Sequence, residues 1–582
     1  ILKISNTYCN VKSDWLSVNK DKNMAKVRRG FSFQQMEIRK PNYSKFNLSH
    51  DHLCALGSGY LVPLWWTEGL PGDTFNCNLS SFVRLLALSS PMLQREDIFV
   101  RAFKVPLRIL ASDKDLDLAY AGGKDGVHPD FPFFICDARS MDVGSLYDYL
   151  QLPLPYEFDS GTKSWNKIDP DDITELIKVS AFPFLAYHRI YMDHFRNEDT
   201  EDDFLELFDL NYSYLDGFLT SDQFSDLIDT DSSYTMDHLH RVAWERDYFT
   251  SALGQSQRGS QVTVPLIGSA SAYVTTAQVL DAQGNPVSSA GANGASVNMG
   301  SGVTRSLYAE AGGTNQGSVR LPVTIDGSEF TGIGAIALRL AMNLQAFMER
   351  NNIAGYRMIG NILAHFGVQS SNRLMEEAEY LGGIKAPITI SAVNQTSASE
   401  DGSTPQGTQV GTAQSAFNGH LFRTFCEEPC IIMVVGYIIA KSSYSQGLAR
   451  KWTRRSYLDY YWPEFQSIGE QEVLNQEVFF QFQSPDVGKE NDKTWAYQAR
   501  YSEYKYEPDS IAGDFRTTLS YWHQSRMFTS LPAYNNEFVK CNPSDRVFAV
   551  DSETYPRPYL GEFYFDCQAV RPLDRYSQSK IW

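Results

Sequence analysis

The sequence predicts a mainly β protein with long helical and loop insertions. Apolar and alternating runs, bounded by Gly, Pro and Asp, recur through both halves of the 582 residues. Aromatics reach 13% while charged residues stay at 21%, a balance suited to strands and to buried interfaces. Hydrophobic content of 43% is enough for a core and excludes a disordered chain. The length allows three or four domains, although large all-β folds stretch that rule.

The first strands are expected at Gly59–Trp66, Thr74–Leu86 and Ile98–Leu110, with Pro71-Gly72-Asp73 as the turn between the first two. In the third, Phe99, Arg101, Phe103 and Val105 alternate with Val100, Ala102, Lys104 and Pro106. Both faces are partly apolar, as in a sheet covered on two sides. Asp142–Thr250 reads as short helices and loops. Within it Asp193–Asp237 holds fourteen Asp/Glu and one Lys/Arg, and Phe204, Leu205 and Phe208 have helical spacing. The spaced carboxylates of a calcium loop are missing, so this stretch reads as a solvated acidic surface.

Ser251–Phe330 differs again, with twelve Gly, seven charged residues and three aromatics in eighty positions. It cannot bury enough apolar surface for a core of its own, and it reads as an insertion ordered by packing on neighbours. Helices are expected at Thr331–Asn351, on the stripe Ile336, Leu340, Leu344, Phe347 and Met348, and at Tyr356–His365 beyond the Gly355 break. Strands follow at Ile388–Val393, Cys430–Ala440, Val473–Phe482 and Gly561–Ala569, with Thr396–Gly419 as an exposed loop.

The eight cysteines are scattered and read as buried thiols in the core. The most apolar run, Cys430–Ala440, is too short to span a bilayer as a helix. Ile1–Arg29 lacks the charged start and apolar stretch of a signal peptide. Residues 1–50 carry ten Lys/Arg and three Asp/Glu, net +7, against −18 for the chain and hence −25 for the rest. Such an arm suits nucleic acid or a neighbouring subunit, with a solvated tail as the plainer alternative.

Leu458–Asn475, LDYYWPEFQSIGEQEVLN, sets aromatics, a Pro and a Gly-Glu-Gln turn at fixed offsets. It resembles a signature of the major capsid proteins of the Microviridae, small single-stranded DNA phages, in particular the gokushovirus-like branch. GYLVPLWWTEGLPGDTFN (Gly59–Asn76), GSLYDYLQLP (Gly144–Pro153), AFPFLAYHRIYMDHFRNED (Ala181–Asp199), RDYFTSAL (Arg246–Leu253), HFGVQSSNRLMEEAEYLGG (His365–Gly383), TPQG (Thr404–Gly407), YSQGLARKW (Tyr444–Trp452), YQARYSEYKYEPDSIAGDFR (Tyr497–Arg516), DRVFAV (Asp545–Val550) and FYFDCQAVRPL (Phe563–Leu573) resemble the same family in order. Met24 starts MAKVRRGFSFQ, similar to the family's usual beginning, so residues 1–23 read as upstream translation or as an extension.

The resemblance implies a viral jelly roll, an eight-stranded antiparallel β-sandwich with long insertions. It also implies sixty copies in a T = 1 icosahedral shell, assembled in the host bacterial cytoplasm around single-stranded DNA. A small basic packaging protein and a host-cell receptor are the further partners, and the 251–330 insertion would project around the threefold axes. Membrane insertion and cofactors are not expected.

The residues offer little chemistry. No GxSxG elbow, P-loop or HExxH occurs. His50 and His52 would share one strand face without a third ligand, and His420, Cys426 and Cys430 form only a loose zinc half-site, so core packing is favoured. Glu427 and Glu428 are a carboxylate pair in sequence only. The nucleic-acid candidates are Lys26, Arg28 and Arg29 in the arm and Arg450, Lys451, Arg454 and Arg455 around Trp452. There an aromatic could stack a base while cations meet phosphates. The alternative is that these cations bind carboxylates of a neighbouring subunit. At the level of the whole chain, the competing classes are an extracellular glycan-binding or glycan-cleaving β-sandwich and a phage spike or tail protein.

Overall fold

A computed structural model describes residues 41–110, most of 141–201, 238–257, 335–354, 358–368, 377–394, 409–482, 490–550 and 555–576. Shorter pieces are described at 133–136, 218–219, 272–274, 296–299, 307–310 and 323–325. The arm residues Lys26, Arg28 and Arg29, and the Phe204–Phe208 helical spacing, lie outside the described residues. The chain divides into two compact units, residues 255–370 and all the rest.

The larger unit is built on one curled antiparallel sheet. Its strands are β1 (Ser44–Asn47), β2 (His50–Leu56), β3 (Val62–Gly69), β4 (Thr74–Leu85), β5 (Glu96–Pro106), β6 (Glu379–Asn394), β7 (Gln409–Phe425) and β8 (Cys430–Ala440). A small hairpin of β9 (Glu470–Leu474) and β10 (Thr494–Ala499) lies outside it, and β11 (Tyr559–Arg571) returns to it. The order is β1–β11–β4–β7–β6–β5–β8–β3, with β2 also on β11. Asn47 faces Gln568 and His50 faces Phe565, so β1 and β2 keep one register and act as a single interrupted strand. The sheet is therefore eight strands wide.

β6 serves two neighbours in turn: residues 379–388 pair with β5 and residues 389–394 with β7. At that strand the sheet folds over itself. The enclosed core takes Phe75, Cys77, Leu79 and Val83 from β4 and Tyr559, Phe563 and Phe565 from β11. Ile98 and Val100 of β5 and Ile432, Val434 and Ile438 of β8 close it from the other side. A second layer covers the back of β5 and β8, where Phe103, Val105, Ile431, Met433, Val435 and Tyr437 meet helix α1 (Phe182–His194). The period of two along β8 thus sends Cys430, Ile432, Val434 and Ile438 to one core and Ile431, Met433, Val435, Tyr437 and Ile439 to the other. All eleven residues are buried for that reason.

α1 is likewise buried almost all round, His188 and Arg189 included, which fits a helix sunk between layers. Tyr187 anchors it: its hydroxyl donates to the Leu61 carbonyl (2.7 Å) and accepts the His240 N–H (3.0 Å). Pro71 and Gly72 form the expected turn, closed by Asp73 N–H on the Leu70 carbonyl, with Gly72 at φ +99°.

Two expectations are corrected. Thr396–Gly419 was expected to be an exposed loop, but residues from Gln409 onward belong to the seventeen-residue strand β7. Its small residues fit a crowded surface: a Cβ on Gly411 would lie 2.5 Å from the Ser90 carbonyl oxygen. Val473–Phe482 is not one strand. β9 stops at Leu474, where the Glu477 carboxylate accepts the Leu474 N–H (3.0 Å) and starts a helical turn.

In the smaller unit, Ala272–Val274 pairs with Val323–Ile325 and Ser296–Met299 with Leu307–Glu310. It also holds α2 (Ala335–Ala354) and α3 (Met358–Phe366). The expected stripe on α2 is largely exposed, from Ile336 through Leu340 and Leu344 to Phe347. Among the described residues no helix is long and apolar enough to cross a membrane.

Candidate interaction surface

A third, small core of Tyr248, Phe249, Tyr444, Val473, Val478, Phe538 and Val539 supports the segment after β8. Asp247 ties it together. One carboxylate oxygen accepts the Phe249 and Thr250 N–H groups (2.9 and 2.7 Å), the other the Ser442 and Tyr444 hydroxyls (both 2.7 Å). Gly447 passes so close that a Cβ there would sit 1.9 Å from the Glu477 carbonyl oxygen. Segments far apart in sequence, around 247, 444 and 473, therefore make one platform.

On it, residues 450–465 run as three short 3-10 turns, Arg450–Trp452, Tyr457–Asp459 and Pro463–Phe465. Asp459 fixes the second: its Oδ2 accepts the Arg455 and Ser456 N–H groups (2.8 and 2.7 Å). Those two bonds hold its carboxyl below the usual range. Trp462 Nε1 donates to the Tyr457 carbonyl (2.9 Å), and the Tyr461 ring meets Tyr501 edge-on at 5.0 Å. The scaffold leaves Tyr457, Leu458, Tyr460, Tyr461 and Trp462 exposed, with Trp452 at 73% and Ile468 at 60%. So contiguous an aromatic ledge is a contact surface in waiting.

The expected basic cluster does come together here, but its charges are met within the chain. Arg450 reaches the Glu472 carbonyl and the buried Glu477 carboxylate (3.3 Å). Burial pushes the Glu477 carboxyl up, against the Leu474 N–H bond and the Arg450 charge. Lys451 pairs with Glu507. Arg454, largely buried, pairs with Glu503 (3.4 Å) and lies 4.2 Å from the Tyr504 ring centre. Of the four cations in the cluster, Arg455 alone has a side chain without a hydrogen bond or ion pair among the described residues. The aromatic run was visible in the sequence; that it would stay exposed was not, because it has neither period two nor 3.6.

The weaker candidates fall apart. His50 and His52 do share a strand face, but His50 stacks on Phe565 (5.2 Å) and bonds the Leu48 carbonyl (3.0 Å). His420 is exposed and bonds Asn78, while Cys426 and Cys430 are buried. Glu428 is paired with Arg108 (3.0 Å). No group of three metal-ligating side chains is assembled among the described residues.

The surface is thus an exposed aromatic ledge with three of its four neighbouring cations paired within the chain, an arrangement suited to contact and without a catalytic constellation among the described residues. A family described as "Capsid protein (F protein)" matches residues 35–581. Capsid protein VP1 of Chlamydia phage 1 is 29% identical over 604 residues, covering 94% of this chain and 96% of that one. VP1 of Bdellovibrio phage phiMH2K is 29% identical over 565 residues with the same coverage, and VP1 of Spiroplasma virus 4 is 26% identical over 554. The chain belongs to this family as the major capsid protein of a gokushovirus-like Microviridae phage. It is a structural component of the virion, not an enzyme, and proteins of this kind assemble as homo-oligomeric shells.

Proposed function

We propose that sixty copies close a T = 1 icosahedral shell around single-stranded DNA, each built on a viral jelly roll. The strand order carries the reading. Counting β1 and β2 as one, and the eight strands by chain order, the sheet runs 1-8-3-6-5-4-7-2. That is two four-stranded halves, each interleaving early and late strands, as two nested Greek keys require.

The ledge from Trp452 to Ile468 is the surface buried against a neighbouring copy. The internal pairing of Arg450, Lys451 and Arg454 favours this over phosphate binding, since each would have to give up a carboxylate first. DNA contact falls to the +7 arm, with Lys26, Arg28 and Arg29, and to Arg455. The 251–330 insertion faces outward and takes part in host attachment. Electron microscopy of the expressed protein tests the shell: closed particles of uniform size support it, and a stable monomer overturns it. Packaged DNA per particle should fall for an Arg28→Ala, Arg29→Ala variant and stay near normal for Arg454→Ala. The reverse result returns the Arg450–Arg455 cluster to the DNA.

A further inference from the structure

All seven described cysteines are buried free thiols, as the sequence suggested, yet they are not equivalent. Cys54, Cys136 and Cys541 are solitary, and burial pushes each thiol up to about 12. The other four form two couples.

Cys77 of β4 and Cys567 of β11 are direct cross-strand partners. In an antiparallel sheet a residue's N–H and C=O point to the same side. Cys567 N–H donates to Ser49 Oγ (3.2 Å) and its carbonyl accepts the Leu48 N–H (2.9 Å), both on the β1–β2 side. Towards β4, Cys567 is therefore in a non-hydrogen-bonded pair, the kind with Cα atoms about 4.5 Å apart and side chains closest. That separation lies inside the range a disulfide bridges. Cys426 and Cys430 flank the turn into β8 and converge on Gly69, where a Cβ would lie 2.8 and 2.7 Å from their sulfurs. Glycine at 69 is what leaves room for both.

We propose that Cys77–Cys567 and Cys426–Cys430 are two latent disulfides, kept as dithiols in a reducing cytoplasm and closed when the particle meets an oxidising medium. Each closure is an exchange with an external low-molecular-weight disulfide. The Cys567 thiolate attacks one sulfur of that reagent, forming a mixed disulfide and releasing one thiol. Cys77, deprotonated, then attacks the Cys567 sulfur and releases the second thiol. Two protons and two electrons pass to the reagent, and one S–S bond forms in the protein. Cys426 and Cys430 react in the same way. The neighbouring thiol of each couple favours the thiolate of Cys567 and of Cys426, and the nearby Arg571 guanidinium adds to it.

The first couple joins positions 490 apart (567 − 77), so it would fasten the last strand of the sheet to one of the earliest. The test uses the full-length protein in two arms: particles treated with oxidised glutathione, and protein refolded in a glutathione redox buffer. Remaining thiols are alkylated in denaturant and the digest is mapped without reduction. The expected result is a linked Cys77–Cys567 peptide pair and a Cys426–Cys430 peptide two hydrogens lighter, in at least one arm. Cys54, Cys136 and Cys541 should be alkylated throughout. Each couple stands on its own peptide: full alkylation in both arms, or linkage to another cysteine, overturns it. Oxidation should also raise the urea midpoint, and Cys77→Ala should abolish most of that rise.

Discussion

Glu96 lies fully buried at the start of β5, where its carboxylate accepts the Tyr559 hydroxyl (2.8 Å). Burial pushes its pKa up to about 7, from 4.5, against the hydrogen bond of the Tyr559 hydroxyl. The folded state therefore holds this proton more tightly than the unfolded chain. Its contribution is complete below pH 4.5 and is lost as the pH rises through about 7. The span corresponds to on the order of 3 kcal/mol. Glu96→Gln should flatten the urea midpoint between pH 5 and 8; an unchanged slope would assign the dependence elsewhere. His240 has the opposite sign. Burial, then His188, His238 and Lys540, hold it well below 6.5, so its contribution is present above that value and fades as the pH falls. Tyr187 gives a test independent of pH. Removing its hydroxyl strands the Leu61 carbonyl and the His240 N–H, and Tyr187→Phe should cost about 1–3 kcal/mol in chemical denaturation.

Elements were legible where large apolar residues mark the face that serves a core. Thr74–Leu85 alternates because one face is enclosed, and Cys430–Ala440 is apolar throughout because both faces are. β7 escaped notice because its first half is small and polar and reads as loop; at Gly411 the smallness has a steric reason, the nearby 88–91 backbone. Gly411→Val should show that cause, losing about 1–3 kcal/mol through overpacking against Ser90, whereas Thr412→Val on the exposed face should be nearly neutral. The candidate surface was half legible. Residue types and their clustering around Trp452 could be read, but the carboxylates that meet the cations come from Glu477, Glu503 and Glu507, residues only folding brings near.

For the whole molecule, the ledge predicts a separation of folding from assembly. Trp452→Ala with Ile468→Ala removes two of its most exposed side chains and should leave the stability of the isolated chain within about 0.5 kcal/mol of its original value. Size-exclusion profiles should nevertheless shift from particles to small species. If particles persist, the ledge is not the contact. Replacing residues 268–317 by a short Gly/Ser linker should spare shells and change host attachment; loss of folded protein would mean the segment supports the core. The place of β11 carries one more consequence. It lies between β4 and β2, and no earlier strand takes its position, so the sheet remains open until residues 559–571 have left the ribosome. A chain halted anywhere before them exposes the edges of β2 and β4 and the apolar faces of Phe75 and Leu79. Translation must therefore pass residue 571 before the sheet can close, and an interrupted product would be marked for proteolysis before it could enter a particle.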